Sequence, residues 1–593
     1  MKSKQSKIIL LIFVFFMPLI AAEAQQLNSV PLNHEAYTLI EMGVMRGAIS
    51  PPSAVKPWSQ IIIKQKLSAM LNSYPQKFSA RELDIINNVL KSFIKIKGLS
   101  PADGKYYAES AVGSHKFTID AGINWGSDFS LRLPEPAIAT VNKGAFNLAG
   151  DMSAYLSWNF NIGCGFLQID REELGQGPDP ASAQVYSIPA YFPYTFTKPW
   201  EAGVFSPDNL GAYAAWPDTF SFFYEMLGEI NTGFFDNRLY LRMGRMRRDW
   251  GPEENSSSLF LNASARPFTA FEGTAIPLNW LKFSFLTGSL EYLNNGSQEA
   301  NAEPYQNMLS MALLEIDTGS FFHLDFGSSA VYAKRPELGY FFPLSSNFFN
   351  QNNGGNFDNV AVFADLEFRF SRMKLWGSLF IDKISAQSEN FFFDKQNMYA
   401  YQAGVKSAVG WLPFGAFTLR YTKIEPYCYT HNNIQTPWRS LPADISYITN
   451  GENIGSYLPP NSDELQIKLE TIPLPGLRAN IQYQLIRHGV DWGYRRVPGS
   501  SVYDKIENDE NTEKYFLKDG AYQWNHVIKL GAEYSMKTRN IPVSFFVETG
   551  IVFTRFTNSD AYIGEEGNYS KIDNADYRAG TYNILSTGFR IFP

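Results

Sequence analysis

The residues able to do chemistry in this chain are thinly spread, and their spacing argues against catalysis. His34, His115, His323, His431, His488 and His526 are scattered, with no two at the helical spacing that makes a metal pair. No Gly-x-Ser-x-Gly turn is present to carry a nucleophilic serine. His431 next to Asn432 would suit a Ser–His–Asn hydrolase, but the serine signature such an enzyme needs is missing nearby. The two cysteines, Cys164 and Cys428, lack metal-ligand spacing. No cofactor, no metal and no enzymatic activity are expected.

The remaining candidates suit binding. Arg238 and Arg242 share parity on an alternating run whose other face is Leu239, Leu241 and Met243. Both arginines are therefore expected on one wet face, with Arg245, Arg247 and Arg248 following toward Trp250. Aligned cations attract an acidic sugar or another anion. The plainer alternative is a structural ladder with carboxylates, and Lys468 and Glu470 opposite Arg478 suggest such a cross-strand network. Trp250-Gly251-Pro252 reads as a sharp turn with a packed indole, although a Trp at a loop mouth can also stack on a sugar ring. Asn262 and Arg266 would hold the following segment in place by hydrogen bonds. Tyr427, Tyr429 and His431 cluster with Asn432 and Asn433. Tyr191-Phe192-Pro193-Tyr194 and the amides from Asn347 to Asn353 supply further aromatic and polar surface. Aromatic faces bind sugar C–H faces and amides bind hydroxyls, but tyrosine also belts any membrane barrel.

The elements that must position these residues are strands. Leu465–Glu470 and Ala479–Leu485 alternate apolar and polar residues across a Pro473–Gly476 turn. The pattern recurs from about Lys116 to the end of the chain. Its clearest run sets Leu156, Trp158, Phe160, Ile162, Cys164 and Phe166 against Ser157, Asn159, Asn161, Gly163 and Gly165. That length matches the ~9–11 residues of a tilted membrane strand rather than the shorter strands of a soluble sandwich. Cys164 would face lipid, which makes a disulfide the minority reading. Connections alternate between short turns and long loops, as in bacterial barrels, and the length supports roughly 16–18 antiparallel strands. The last strand, Leu585–Phe592, places Leu585, Phe589 and Ile591 at alternate positions, as barrel-insertion signals do.

Composition agrees. Of 593 residues, 15% are aromatic and 18% charged, with a net charge of -7, which excludes a basic nucleic-acid binder. Mean hydropathy is -0.21, too polar for a bundle of membrane helices. Lys2, Lys4 and Lys7, the apolar run Ile8–Ile20 and Ala22-Glu23-Ala24 read as a secretory signal cleaved after Ala24. Residues 25–112 are then expected to form a small periplasmic helical region, and residues 113–593 the barrel. Three apolar stripes mark the helices: Ala36, Leu39, Ile40 and Val44; then Ile63, Leu67, Met70 and Leu71; then Leu83, Ile86, Leu90, Phe93 and Ile94. A capping box, Ser79 to Glu82, opens the third, and a linker from Gly98 to His115 follows.

Several segments, in order, resemble the Wzi capsule-assembly family of outer-membrane barrels. The best is Gly244-Arg245-Met246-Arg247-Arg248-Asp249-Trp250-Gly251-Pro252 followed by Ser258-Leu259-Phe260-Leu261-Asn262-Ala263-Ser264-Ala265-Arg266-Pro267. Leu375–Asp382, Tyr427–His431 and Ile454–Asp463 are similar to three further family segments, although Ser456 and Pro459 stand where the family has His and Gly. The resemblance implies a closed barrel with periplasmic helices. It also implies lectin-like holding of surface polysaccharide at the outer membrane without catalysis. The expected partners are surface polysaccharide, outer-membrane lipid and the barrel-insertion machinery, around a monomer with its long loops at the cell surface. The competing reading is a porin for small polar or anionic solutes. A plugged lumen would favour the first and an open, conducting lumen the second.

Overall fold

The computed structural model describes residues 26–95, 97–100, 104–112, 115–133, 137–153, 155–169, 220–251, 257–291, 307–319, 321–333, 335, 337–341, 347, 350, 358–383, 397–431, 445–449, 452–489, 497–502, 504, 516–517, 522–538, 541–557 and 580–591. The signal-like residues 1–24, the aromatic segment Tyr191–Tyr194, and Asn432 and Asn433 lie outside this set.

Eighteen antiparallel strands close into one barrel, each paired to its chain neighbour. The first, His115–Leu133, meets the last, Gly580–Ile591, with Trp125 opposite Ile591 and Leu133 opposite Asn583. Alternation along the strands sets the two faces. Outward positions such as Ile123, Ile162, Phe326, Leu530, Phe545 and Ile551 leave large apolar side chains exposed. Inward positions bury charge: Glu229, Arg242, Glu272, Glu315, Asp365 and Lys406 are each under 5% exposed. Exposed apolar side chains around buried charge is the reverse of a water-soluble protein and fits a barrel solvated by lipid. Among the described residues, no helix is long and apolar enough to cross a membrane. Cys164 is exposed on the outer face, Cys428 is buried, and neither forms a disulfide.

One end of the barrel carries tight turns, at 235–238, 279–280, 371–372, 410–414 and 475–476, and the other end carries the long connections. The segment read as a linker behaves differently: Gly98–Ser100 and Lys105–Val112 form strands, and the second pairs with His115–Gly122. The first barrel strand is long enough to serve both this hairpin and the final strand. A linker reading fails because Tyr107 and its neighbours find an unpaired strand edge beside them.

Three helices gather at the tight-turn end. They are α1 (Ala36–Met45), α2 (Gln60–Asn72) and α3 (Ala80–Ser92). The capping box is present: Ser79 N–H donates to Glu82 at 2.8 Å, and Glu82 N–H donates to the Ser79 hydroxyl at 3.3 Å. The helices bury Leu39, Ile40, Ile63, Leu67, Met70 and Ile86 in one core with Phe414 and Ile472 of the barrel. Helix α3 ends at Ser92, so Ile94, expected in its stripe, is 65% exposed, while Ile85 and Val89 are buried instead.

Candidate functional site

Charge inside the barrel is organised around the chain's own N-terminal segment. Arg242 and Arg248 share the Glu272 carboxylate, Arg248 Nε donating at 2.8 Å. Arg242 also donates to the Ser29 hydroxyl and to the Pro57 carbonyl, the latter at 3.0 Å, while Ser29 N–H donates to Glu229 at 2.7 Å. These arginines therefore stitch the wall to residues 29–57. A second chain of ion pairs reaches α1: Glu41 accepts from Lys374 at 2.7 Å and Lys406 at 2.8 Å, and Glu470 accepts from Lys406 at 2.7 Å and Lys468 at 2.8 Å. Glu82 accepts from Arg46 at 2.7 Å and from the Phe414 N–H at 3.0 Å, fastening α3 to a barrel turn. Buried pairs of this kind add little net stability, but breaking one strands a charge.

The segments singled out in the sequence converge beside this network. Trp250 is fully buried, and its backbone N–H donates to the Leu261 carbonyl at 2.9 Å. Gly251, at φ +140°, donates to the Ala54 carbonyl at 3.0 Å. Tyr429 donates its hydroxyl to the Leu259 carbonyl at 2.6 Å, and Tyr447 donates to the Phe260 carbonyl at 2.7 Å. Asn262 N–H donates to Ile454 at 2.7 Å, and its Nδ2 donates to Ser258 at 2.9 Å. Phe260 stacks on Phe363 at 4.1 Å, and Phe380 packs on Tyr429 at 4.8 Å. Gly455 lies so close that an added Cβ would sit 2.4 Å from the Tyr429 ring and 2.8 Å from the Leu259 carbonyl. Trp250, Leu259, Phe260, Leu261, Phe268, Tyr427, Tyr429, Ile445, Tyr447, Ile454 and Leu458 thus form one apolar core with inward side chains of the wall.

The sequence-derived sites divide accordingly. Trp250, Asn262, Tyr429 and Arg248 are inside packed structure, where a ligand from solvent would have to displace other side chains. Tyr427, 7% exposed, donates its N–H to Gly499 at 2.9 Å, and Arg266 is 6% exposed. His431 is half-buried, donates its N–H to Ser446 at 2.9 Å, and immediately precedes residues outside the described set. Arg238 departs from expectation. It lies in the 235–238 turn, exposed, and donates to Asn279 at 3.1 Å, because the strand begins only at Leu239. Arg478 pairs with Glu533 rather than Glu470 and donates to the Asn33 carbonyl at 2.6 Å. Glu533 stands directly opposite Arg478 on the next strand, whereas Glu470 is paired with Asn480.

A cavity of about 1630 Å³ lies between the helices and the inner wall. Its lining carries both signs, and Lys143, Arg478 and Arg590 pair with Glu225, Glu533 and Asp128. For these three the structural ladder is the observed arrangement. His34 also lines it; burial first, and then Arg478, lower its pKa to about 4, so the ring is neutral and Nδ1 accepts from the Ala36 N–H at 3.1 Å. Sequence reasoning missed Ser29, Glu41, Glu229 and Glu272. For the strand residues the available signal was a carboxylate at an inward position of an alternating run; the N-terminal partners had none.

Fold and interior together define a class: a transmembrane β-barrel whose lumen is occupied in part by its own chain. The chain is similar to Wzi of Escherichia coli, described as an outer-membrane protein involved in group 1 capsule assembly and a carbohydrate-binding β-barrel. Identity is 13%, over 95% of this chain and 99% of that one, with a TM-score of 0.53. It is also similar to OprD of Pseudomonas aeruginosa, at 9% identity over 80% of this chain and 94% of that one, TM-score 0.38. OccK3 of Pseudomonas aeruginosa gives 10%, 80%, 94% and 0.38. No protein-family model and no curated protein matches the sequence. At these identities the likeness is one of fold.

Proposed function

We propose that this chain is a Wzi-like outer-membrane barrel that holds surface polysaccharide without catalysis. The observation that carries the reading is the filled interior: helices docked at the tight-turn end, and an apolar layer of connection segments packed against the inner wall. A diffusion porin has no use for a hydrophobic core inside its lumen. The likeness to a carbohydrate-binding barrel supports the same choice. Short periplasmic turns and long outer loops are the polarity of bacterial barrels, so the helices belong in the periplasm and the long connections at the cell surface. The polymer would then meet the loops that continue from His431 and neighbouring connections, while Trp250, Asn262, Arg266, Tyr427 and Tyr429 position those loops from below. Surface polysaccharide, outer-membrane lipid and the insertion machinery are the partners this reading requires, with a monomer as the unit.

The porin reading draws on the cavity between helices and wall. Planar-bilayer recording from the detergent-folded protein separates the two. A filled lumen gives little ion conductance, and steady large conductance would favour the porin.

A further inference from the structure

Behind residues 51–54, three neighbouring strands bring a cluster of ionisable groups together that neither the closure of the lumen nor polymer binding uses. Glu315 lies directly across from Asp325, and Asp325 directly across from Asp365. One row away, His323 lies between Asp317 and Glu367. All six side chains point inward and none is more than 5% exposed. Five carboxylates in this cluster pair directly with Lys282 and Arg369 and lie beside one imidazole, with the charge of Lys66 acting on Asp317 from further off. Lys282 stands 3.5 Å from Glu315 and from Asp317, and Arg369 pairs with Glu367 at 2.5 Å and Asp317 at 3.2 Å. Lys374, beside Glu367, is engaged by Glu41. Carboxylates directly opposite one another across strands repel, and burial removes the water that would screen them.

Two observations point to a cation. Ligand atoms of Glu315, His323 and Asp325 all lie within 4.8 Å of one another. Asp325 is completely buried, and neither of its oxygens receives a hydrogen bond. His323 Nε2 comes within 2.9 Å of Oδ1 of Asp325 but off the hydrogen-bonding direction, as two ligands of one ion would. We propose that Glu315, His323 and Asp325 form a binding site for one divalent cation. An imidazole beside two carboxylates suits a first-row ion, zinc before manganese, better than calcium or magnesium. The role is structural. Glu315 also accepts from the Ala54 N–H at 2.8 Å and from the Ser53 hydroxyl, so an ion here ties two wall strands to the inserted N-terminal segment.

The test uses the full-length barrel, purified in detergent, stripped with a chelator and then offered Zn²⁺, Mn²⁺, Ca²⁺ or Mg²⁺ separately. Metal content is read by elemental analysis and affinity by calorimetry. The expected result is about one zinc or manganese ion per folded chain. Asp325→Asn and His323→Gln should lose it, and Glu291→Gln, whose carboxylate pairs with Arg245 at 2.7 Å outside the cluster, should keep it. Folding of each variant is checked by heat-modifiable gel mobility. If Asp325→Asn fails to fold, His323→Gln and the wild-type stoichiometry still decide. Wild-type protein that takes up no ion, or that binds as much as a folded His323→Gln variant, overturns the site. His323 would then be an imidazolium bridging Asp317 and Asp325.

Discussion

Tyr429 donates its hydroxyl to the carbonyl of Leu259 at 2.6 Å, across 170 residues of sequence. Neither residue belongs to a barrel strand. Their bond joins two connections inside the barrel and makes the interior a folded layer rather than a channel lining. Removing the hydroxyl in Tyr429→Phe leaves a buried carbonyl without this donor and should cost about 1–3 kcal/mol. The check is a lower unfolding temperature with unchanged barrel content by circular dichroism.

Gly455 tests the same layer from the opposite side. In Gly455→Ala the new methyl meets the Tyr429 ring at 2.4 Å and the Leu259 carbonyl at 2.8 Å, so backbone must shift. Overpacking of this kind costs about 1–3 kcal/mol. Because both substitutions disturb one contact, the double variant with Tyr429→Phe should lose less than the two singles added together. Strict additivity in thermal denaturation would place Gly455 in a separate unit.

Arg242 and Arg238 were expected to be equivalent, and the structure separates them. Arg242→Met leaves Glu229 and Glu272 buried with one arginine fewer and removes the bond to Pro57, for a loss of about 3–5 kcal/mol. Arg238→Ala, at an exposed turn, should leave the unfolding temperature unchanged. Equal shifts for both would contradict the assignment of Arg242 to the wall–segment junction.

Glu41 predicts a releasable end piece. Glu41→Gln leaves Lys374 and Lys406, both almost fully buried, without that carboxylate. Helix α1 should loosen before the barrel does. Limited proteolysis should cut between residues 26 and 95 at least several times faster than in the parent, with the barrel fragment intact.

His34 gives the docking a pH dependence of definite sign. Its folded pKa is lowered to about 4 from 6.5, first by burial and second by Arg478. The unfolded or undocked state therefore binds the proton more readily. The stability contributed by neutral His34 is fully present above pH 6.5 and is lost as pH falls toward 4. Melting scans should show this loss across that window, and His34→Gln should flatten it.

Much of the fold was legible because lipid outside and polar groups inside impose strict alternation. The runs ending in Phe166, Phe370 and Val547 carried that signal, and so did the tight turns at 371–372 and 475–476. The helices were legible from stripes and from the Ser79–Glu82 box. What the pattern could not convey was contact between distant segments. Nothing local marks Glu41 as the partner of Lys374, or Gly455 as the floor under Tyr429. Arg478 was placed against the wrong carboxylate because hydrophobic periodicity does not give strand register, which sets Asn480 opposite Glu470 and Glu533 opposite Arg478. Trp250 drew both a packing and a sugar-binding reading because tryptophan serves cores and sugars equally well; the structure places it fully buried.

On the proposed function the barrel holds a polysaccharide rather than passing solutes. The most direct test is binding of the purified, detergent-folded protein to surface polysaccharide from its own source. A variant lacking residues 432–444, which spares the packed side chains of Ile445, Tyr447, Ile454 and Leu458, and an Arg248→Ala/Trp250→Ala variant run beside it. Saturable binding by the parent and its loss in the loop variant, with the barrel still folded, is the expected outcome. No binding to any polysaccharide fraction, together with large steady conductance in a planar bilayer, would contradict it.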